Sequence, residues 1–124
     1  MLHLDTSVLV GALSGQRAAA NSLRTWFNEG ERVFISAPVL YEWLRGPRKP
    51  EELQEQEELL PTALAVPFGP AEAAVAADLY GKLKRPRGRE IDIAIAACAI
   101  RAEATLWTLN PDDFRDIPGL MLTK

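Results

Sequence analysis

The sequence predicts an α/β fold, a three-layer α/β/α sandwich on a mostly parallel central sheet. Three observations lead there. Short apolar, β-prone runs recur at residues 2–4, 32–36, 63–68, 105–109 and 120–122. Longer segments with apolar residues three and four apart, the helical period, separate most of them. No internal repeat or low-complexity linker interrupts the alternation. Strands joined through helices pair in parallel by right-handed crossovers, which covers both faces of the sheet. The 124 residues make one domain, 1–124, large enough to hold a core without disulfides or a structural metal.

The elements follow in order. Leu2 to Leu4 is a strand, and Asp5, Thr6 and Ser7 are cap-forming residues leading into a helix with Val8, Leu9, Val10, Ala12 and Leu13. Residues 17–28 form a second helix, with Ala20, Leu23, Trp26 and Phe27 at core spacing and Gly30 as a stop. Residues 32–36 are a strand. Ser36 and Pro38 then open a helix carrying Val39, Leu40, Trp43 and Leu44, ended by Gly46 and Pro47. Residues 50–60 are an acidic helix whose charge is a solvated face. Residues 63–68 are read as a strand between prolines, and Pro70 starts an alanine-rich helix through Leu83. A basic break at 82–89 precedes an apolar helix over 90–104. A strand at 105–109, a polar turn at 110–113 and a last strand at 120–122 complete the chain.

Composition narrows the function classes. Hydrophobic residues make up 48% and charged residues 25%, the balance of an ordinary globular protein. A net charge of -3 argues against gripping nucleic acid through bulk positive charge, so any such site is local. The single cysteine, Cys98, allows neither an intrachain disulfide nor a cysteine-built zinc site. The opening residues lack the basic and apolar pattern of a secretory signal, and no stretch is apolar enough to span a bilayer; a cytoplasmic protein without membrane contact is expected.

In parallel sheets ligands bind beyond the carboxyl ends of the strands. Asp5 falls at one such end, and the segment from Thr108 to Asp113 at another. Glu42 lies in the helix after the second strand. Asp92 interrupts Ile91, Ile93, Ala94, Ile95, Ala96 and Ala97. By helical spacing it faces Ile95, Ala96 and Ala99, whereas Glu90 projects toward Arg101 and solvent. Each acid alone has an ordinary explanation. Asp5 suits a helix cap. Asp92 suits a first-turn acid, stabilised by the helix dipole by about 0.3–1 kcal/mol. Glu42 suits the surface, and Asp112 and Asp113 suit a turn. Together they imply more. Two carboxylates about 6 Å apart repel by roughly 3 kcal/mol at an effective dielectric near 20, so a shared rim calls for a cation. An oxygen-only donor set favours Mg²⁺ or Mn²⁺ over Zn²⁺ and points to phosphodiester hydrolysis.

Four blocks resemble the PIN-domain family, and within it the VapC-like toxin ribonucleases, over essentially the whole chain. They are the run from Leu4 to Val10, Ser36 through Glu42 with Gly46, Asp92 through Ala97, and Thr108 to Phe114 with Ile117 to Leu120. The resemblance implies a Mg²⁺- or Mn²⁺-dependent endoribonuclease, the toxin of a pair with a small antitoxin that blocks the acidic site. It assigns catalysis and metal ligation to Asp5, Glu42, Asp92 and Asp113. Thr6, Thr108 and Asn110 take supporting roles, and Asn110, Asp112 and Asp113 all compete for the fourth acidic position. Related toxins imply a homodimer, to which the helix over 71–83 offers an apolar face.

Arg87 and Arg89, in the basic break before Asp92, are candidate RNA-phosphate ligands, such contacts supplying position and affinity rather than sequence choice. Lys82, Lys84 and Arg85 suit a helix C-terminus. Trp26, Trp43 and Trp107 read as core, His3 and Cys98 as structural. The competing function is a non-catalytic PIN-like module that binds RNA or protein through the same rim. A phosphotransfer enzyme with a phosphorylated aspartate is disfavoured, because Asp5 lacks an Asp-x-Asp partner and no phosphate-cradling glycine loop is present.

Overall fold

In the computed structural model, which describes residues 1–123, the central strand Leu2–Leu4 (β1) is buried on both faces, with Leu2 and Leu4 on one and His3 on the other. Thr6–Leu13 (α1) and Arg17–Asn28 (α2) follow, then Val33–Phe34 (β2), Ala37–Arg45 (α3) and Pro50–Leu59 (α4). Pro70–Lys82 (α5), Glu90–Arg101 (α6), Thr105–Trp107 (β3) and Met121–Leu122 (β4) complete the fold. The sheet is wholly parallel in the order β2-β1-β3-β4. Helices lie on both faces, so the expected sandwich is the observed one. Its core joins Leu4, Leu9, Val39, Trp43, Ile93, Ile95, Leu106 and Phe114, all buried. Trp26 and Trp107 pack against this core, as their spacing predicts.

Several boundaries differ from the sequence reading, for identifiable reasons. Residues 63–68 do not form a strand. A 3-10 turn, Thr62–Leu64, is followed by one parallel bridge between Ser36 and Val66. Val66 donates to the Ile35 carbonyl at 2.9 Å, and its own carbonyl accepts from Ala37 at 2.8 Å. The ladder goes no further because the facing segment turns into α3 at Ala37, and the Ser36 carbonyl already accepts from Leu40 within that helix. The third strand stops at Trp107 rather than 109, because hydroxyls capture two backbone donors just beyond it: Leu109 N–H donates to Ser7 and Asn110 N–H to Thr108, each at 3.0 Å. The helix expected to reach 104 ends at Arg101. Glu103 takes φ 55°, and the Ala104 and Glu103 amides bond back to Ala99 and Ile100. This is the Schellman closure with glutamate where glycine is usual.

His3 is fully buried, its ring packed edge-on against Phe34 at 4.9 Å, and neither ring nitrogen finds a hydrogen-bond partner among the described residues. Burial pushes its pKa down to about 4 from 6.5. The neutral ring is thus the folded form, and the stability it carries is present above pH 6.5 and lost as pH falls toward 4. His3→Leu is expected to match the wild type at pH 7 and to lose less stability at pH 5, measured as the urea midpoint at both values.

Candidate active site

Leu4 lies opposite Trp107 in the sheet, so β1 and β3 deliver Asp5 and Thr108 side by side at the carboxyl rim. The Asp5 N–H donates to the Trp107 carbonyl at 2.9 Å, which fixes this junction. Asp5 occupies the N-cap position of α1, yet its side chain makes no capping bond. Its Oδ2 instead accepts the hydroxyls of Ser7 and Thr108, both at 2.7 Å. Those hydroxyls accept backbone N–H groups from Leu109 and Asn110, which directs their own protons onto Asp5. The carboxylate is only 5% exposed as a residue, held in one orientation, and Oδ1 has no hydrogen bond among the described residues.

Glu42 reaches the same rim from the second turn of α3. Its Oε1 accepts the Thr6 hydroxyl at 2.7 Å, and Oε2 lies 3.3 Å from the Arg45 guanidinium one turn on. Asp92 enters from the first turn of α6, half-buried, while Glu90 is exposed as expected. Burial pushes the Asp92 carboxyl up to about 6, and the charges of Asp5, Glu42 and Asp113 add to the rise; Arg89 opposes it. Acids from three other segments therefore bear on Asp92 at this rim. Asp113, on the 3-10 turn Pro111–Asp113, is exposed. Of the three candidates for the fourth acidic position, Asp113 is the one whose charge acts on Asp92. Asp112 pairs with Arg115, and Asn110 joins the network through its backbone N–H.

The two arginines of the basic break differ in circumstance. Arg87 is exposed and makes no ion pair among the described residues. The Arg89 guanidinium is held by both oxygens of Asp116, at 2.6 and 2.9 Å, and by the Asp113 carbonyl at 3.0 Å. A free phosphate ligand was the expectation for Arg89; its fork is engaged by protein groups instead. Three participants were not read from the sequence. Ser7 had a signal, since a hydroxyl two residues after an aspartate is placed to bond it. Arg45 lies at helical spacing from Glu42. Asp116 gave none, because its pairing spans 27 residues.

Among the described residues, no three acidic, histidine or cysteine side chains converge into a ready-made metal cage. The donors are nonetheless carboxylates and hydroxyls alone, with convergent negative charge at Asp92. That set fits a hard cation such as Mg²⁺, which keeps several waters and takes one or two carboxylates. No helix among the described residues is long and apolar enough to cross a membrane.

A parallel sheet with an acidic rim built by Asp5, Glu42, Asp92 and Asp113 places the chain in the PIN domain family, to which it belongs: residues 2–120 match the PIN domain. Among its relatives is Ribonuclease VapC19 of Mycobacterium tuberculosis, 32% identical over 122 residues that cover 97% of each protein. A chain in the crystal structure of VapBC2 from Rickettsia felis, bound to a DNA fragment from its promoter, superposes with a TM-score of 0.81. It is 27% identical, with 99% of this chain and 98% of that one covered. A chain of DNA-bound VapBC from Salmonella typhimurium gives 0.80 over 98% and 96% of the two chains; at 22% identity it bears on the fold alone.

Proposed function

We propose that the protein is a divalent-metal-dependent endoribonuclease, the toxin of a toxin–antitoxin pair, hydrolysing RNA phosphodiester bonds at the acidic rim. The observation that carries this reading is the convergence of four acids, two of them oriented by dedicated hydroxyls, with Asp92 raised to about 6 by burial and, less, by its acidic neighbours. The likeness to a ribonuclease of the VapC group and to VapBC structures supports both halves of the proposal.

Asp5 and Asp92 are the residues that would hold Mg²⁺ or Mn²⁺, with Glu42 and Asp113 acting directly or through water. Such a cation, when bound, supplies Lewis-acid charge at the phosphoryl oxygens and lowers the pKa of attacking water. The chain's own groups position. Ser7 and Thr108 keep Asp5 from rotating, Thr6 does the same for Glu42, and Asn110 anchors Thr108 through its N–H. Such preorganisation removes the reorientation that a free carboxylate would need during reaction.

RNA binding falls to local cations, since the whole chain is acidic. Arg87 is the phosphate ligand we assign. Arg87→Gln is expected to raise KM several-fold with kcat unchanged, and to reduce the slope of log affinity against log salt by about 0.7, the single-strand value for one phosphate contact. Filter binding across a salt series measures it. We further propose a small antitoxin protein as partner, action in the cytoplasm, and a homodimer through the outward face of α5, where Ala73, Ala74, Ala77 and Tyr80 are exposed. Sedimentation at micromolar concentration tests the last.

The alternative reading is a PIN-like module that binds RNA through the same rim without cutting it. Mixed cellular RNA incubated with the protein and Mg²⁺, Mn²⁺ or EDTA separates the two. Internal cleavage with metal and none with EDTA supports the nuclease; intact RNA that shifts in a gel supports the module.

A further inference from the structure

We propose that Arg89 and Asp116 form a clasp that sets the position of Asp113 relative to Asp92, and that Arg89 is a positioning residue rather than a phosphate ligand. The inference rests on the acidic rim being a metal-binding nuclease site.

The geometry ties three segments to one guanidinium. Arg89 is the N-cap residue of α6, three residues before Asp92. A turn closed by its N–H to the Pro86 carbonyl at 3.0 Å, with Gly88 at φ 83°, aims the chain into the helix. Its Nη1 donates to Asp116 Oδ2 at 2.9 Å and to the Arg85 carbonyl at 3.4 Å. Its Nη2 donates to Asp116 Oδ1 at 2.6 Å and to the Asp113 carbonyl at 3.0 Å. Four of the five guanidinium N–H directions lie on these two nitrogens, in the planar fork that matches a carboxylate.

The location gives the clasp its consequence. Asp113 stands on a single 3-10 turn at the surface, with no hydrogen bond to its own carboxylate among the described residues. Its charge repels Asp92. The buried Phe114 side chain anchors the end of this turn but not the direction of the repelled acid beside it, which needs a second hold. The hold is applied to its backbone, at the Asp113 carbonyl, by the same side chain whose main chain starts the helix bearing Asp92. The Arg89 side chain is 22% exposed and Asp116 55%, so Asp116 can be changed without opening the core.

Asp116→Asn discriminates between the roles. It weakens the fork while leaving the Arg89 charge in place and freer to move. A phosphate-binding Arg89 then keeps or improves RNA affinity and activity. The clasp predicts a different pattern: kcat down about tenfold, as for loss of groups that orient metal ligands, with KM for RNA unchanged. In metal-free protein, amide exchange at Asp113 and Phe114 speeds up, and Mn²⁺ affinity measured without RNA falls about tenfold. Arg89→Lys, which keeps charge but loses the fork, follows Asp116→Asn. Far-ultraviolet circular dichroism unchanged from the wild type confirms a folded variant. Wild-type exchange, Mn²⁺ affinity and kcat in Asp116→Asn overturn the clasp while leaving the nuclease reading intact. Wild-type protein that binds no Mn²⁺ and cuts no RNA overturns the site reading, and the clasp with it.

Discussion

Asp5→Asn is expected to lower RNA cleavage by about 10²–10³-fold, the scale of losing one preorganised charge that acts on the transition state. The argument is that the substitution removes charge and little else. Asparagine keeps the shape of aspartate, and its amide oxygen still accepts the Ser7 and Thr108 hydroxyls that now hold Oδ2 at 2.7 Å. The Asp5 N–H to Trp107 bond is backbone and survives. The thermal midpoint of the metal-free variant therefore stays near or above that of the wild type, while single-turnover cleavage of RNA collapses. Loss of activity with loss of fold points instead to a structural role for Asp5, closer to the helix cap its position in the sequence resembles.

Asp92→Asn is expected to abolish cleavage to a similar degree and to stabilise the metal-free protein. Asp92 binds its proton more tightly in the folded chain, at about 6, than its ordinary 3.8. The stabilisation linked to that proton is complete below pH 3.8 and is lost as pH rises through about 6, leaving a repelled, half-desolvated charge at pH 7 and above. The rise corresponds to about 3 kcal/mol before screening, and half-exposure leaves about 1 kcal/mol. For a domain of this size that is about 4 °C in thermal midpoint at pH 7.5, shrinking as the pH is lowered toward 4. Mg²⁺ reverses the order. It stabilises the wild type by mass action and the variant far less. His3 acts in the opposite direction, losing stability as pH falls, so the comparison is made between Asp92→Asn and the wild type at each pH.

The sequence exposed the fold where local rules and tertiary demand agree. The short run Leu2 to Leu4 and the apolar helix after Glu90 read as elements covered on several sides, and both are. It failed where side chains compete for backbone groups. Residues 105–109 read as one strand, but the Ser7 and Thr108 hydroxyls take the Leu109 and Asn110 donors and end it two residues early. The 63–68 segment has β-prone residues and only one bridge, because the facing segment turns into α3 at Ala37. The acids were legible because a carboxylate inside an apolar helix, and another directly after an apolar strand, are locally anomalous. Their supports were less so. Ser7 reads as a capping residue until the strand that leads into Thr108 is placed beside it, and the Arg89–Asp116 pair has no local signature at all.

The most direct test of the acidic rim as the catalytic centre is cleavage of mixed cellular RNA with Mg²⁺, Mn²⁺ or EDTA by the wild type and by an Asp5→Asn, Asp92→Asn double variant. The account predicts metal-dependent internal cleavage by the wild type and none by the folded double variant. Cleavage that persists in the double variant contradicts it.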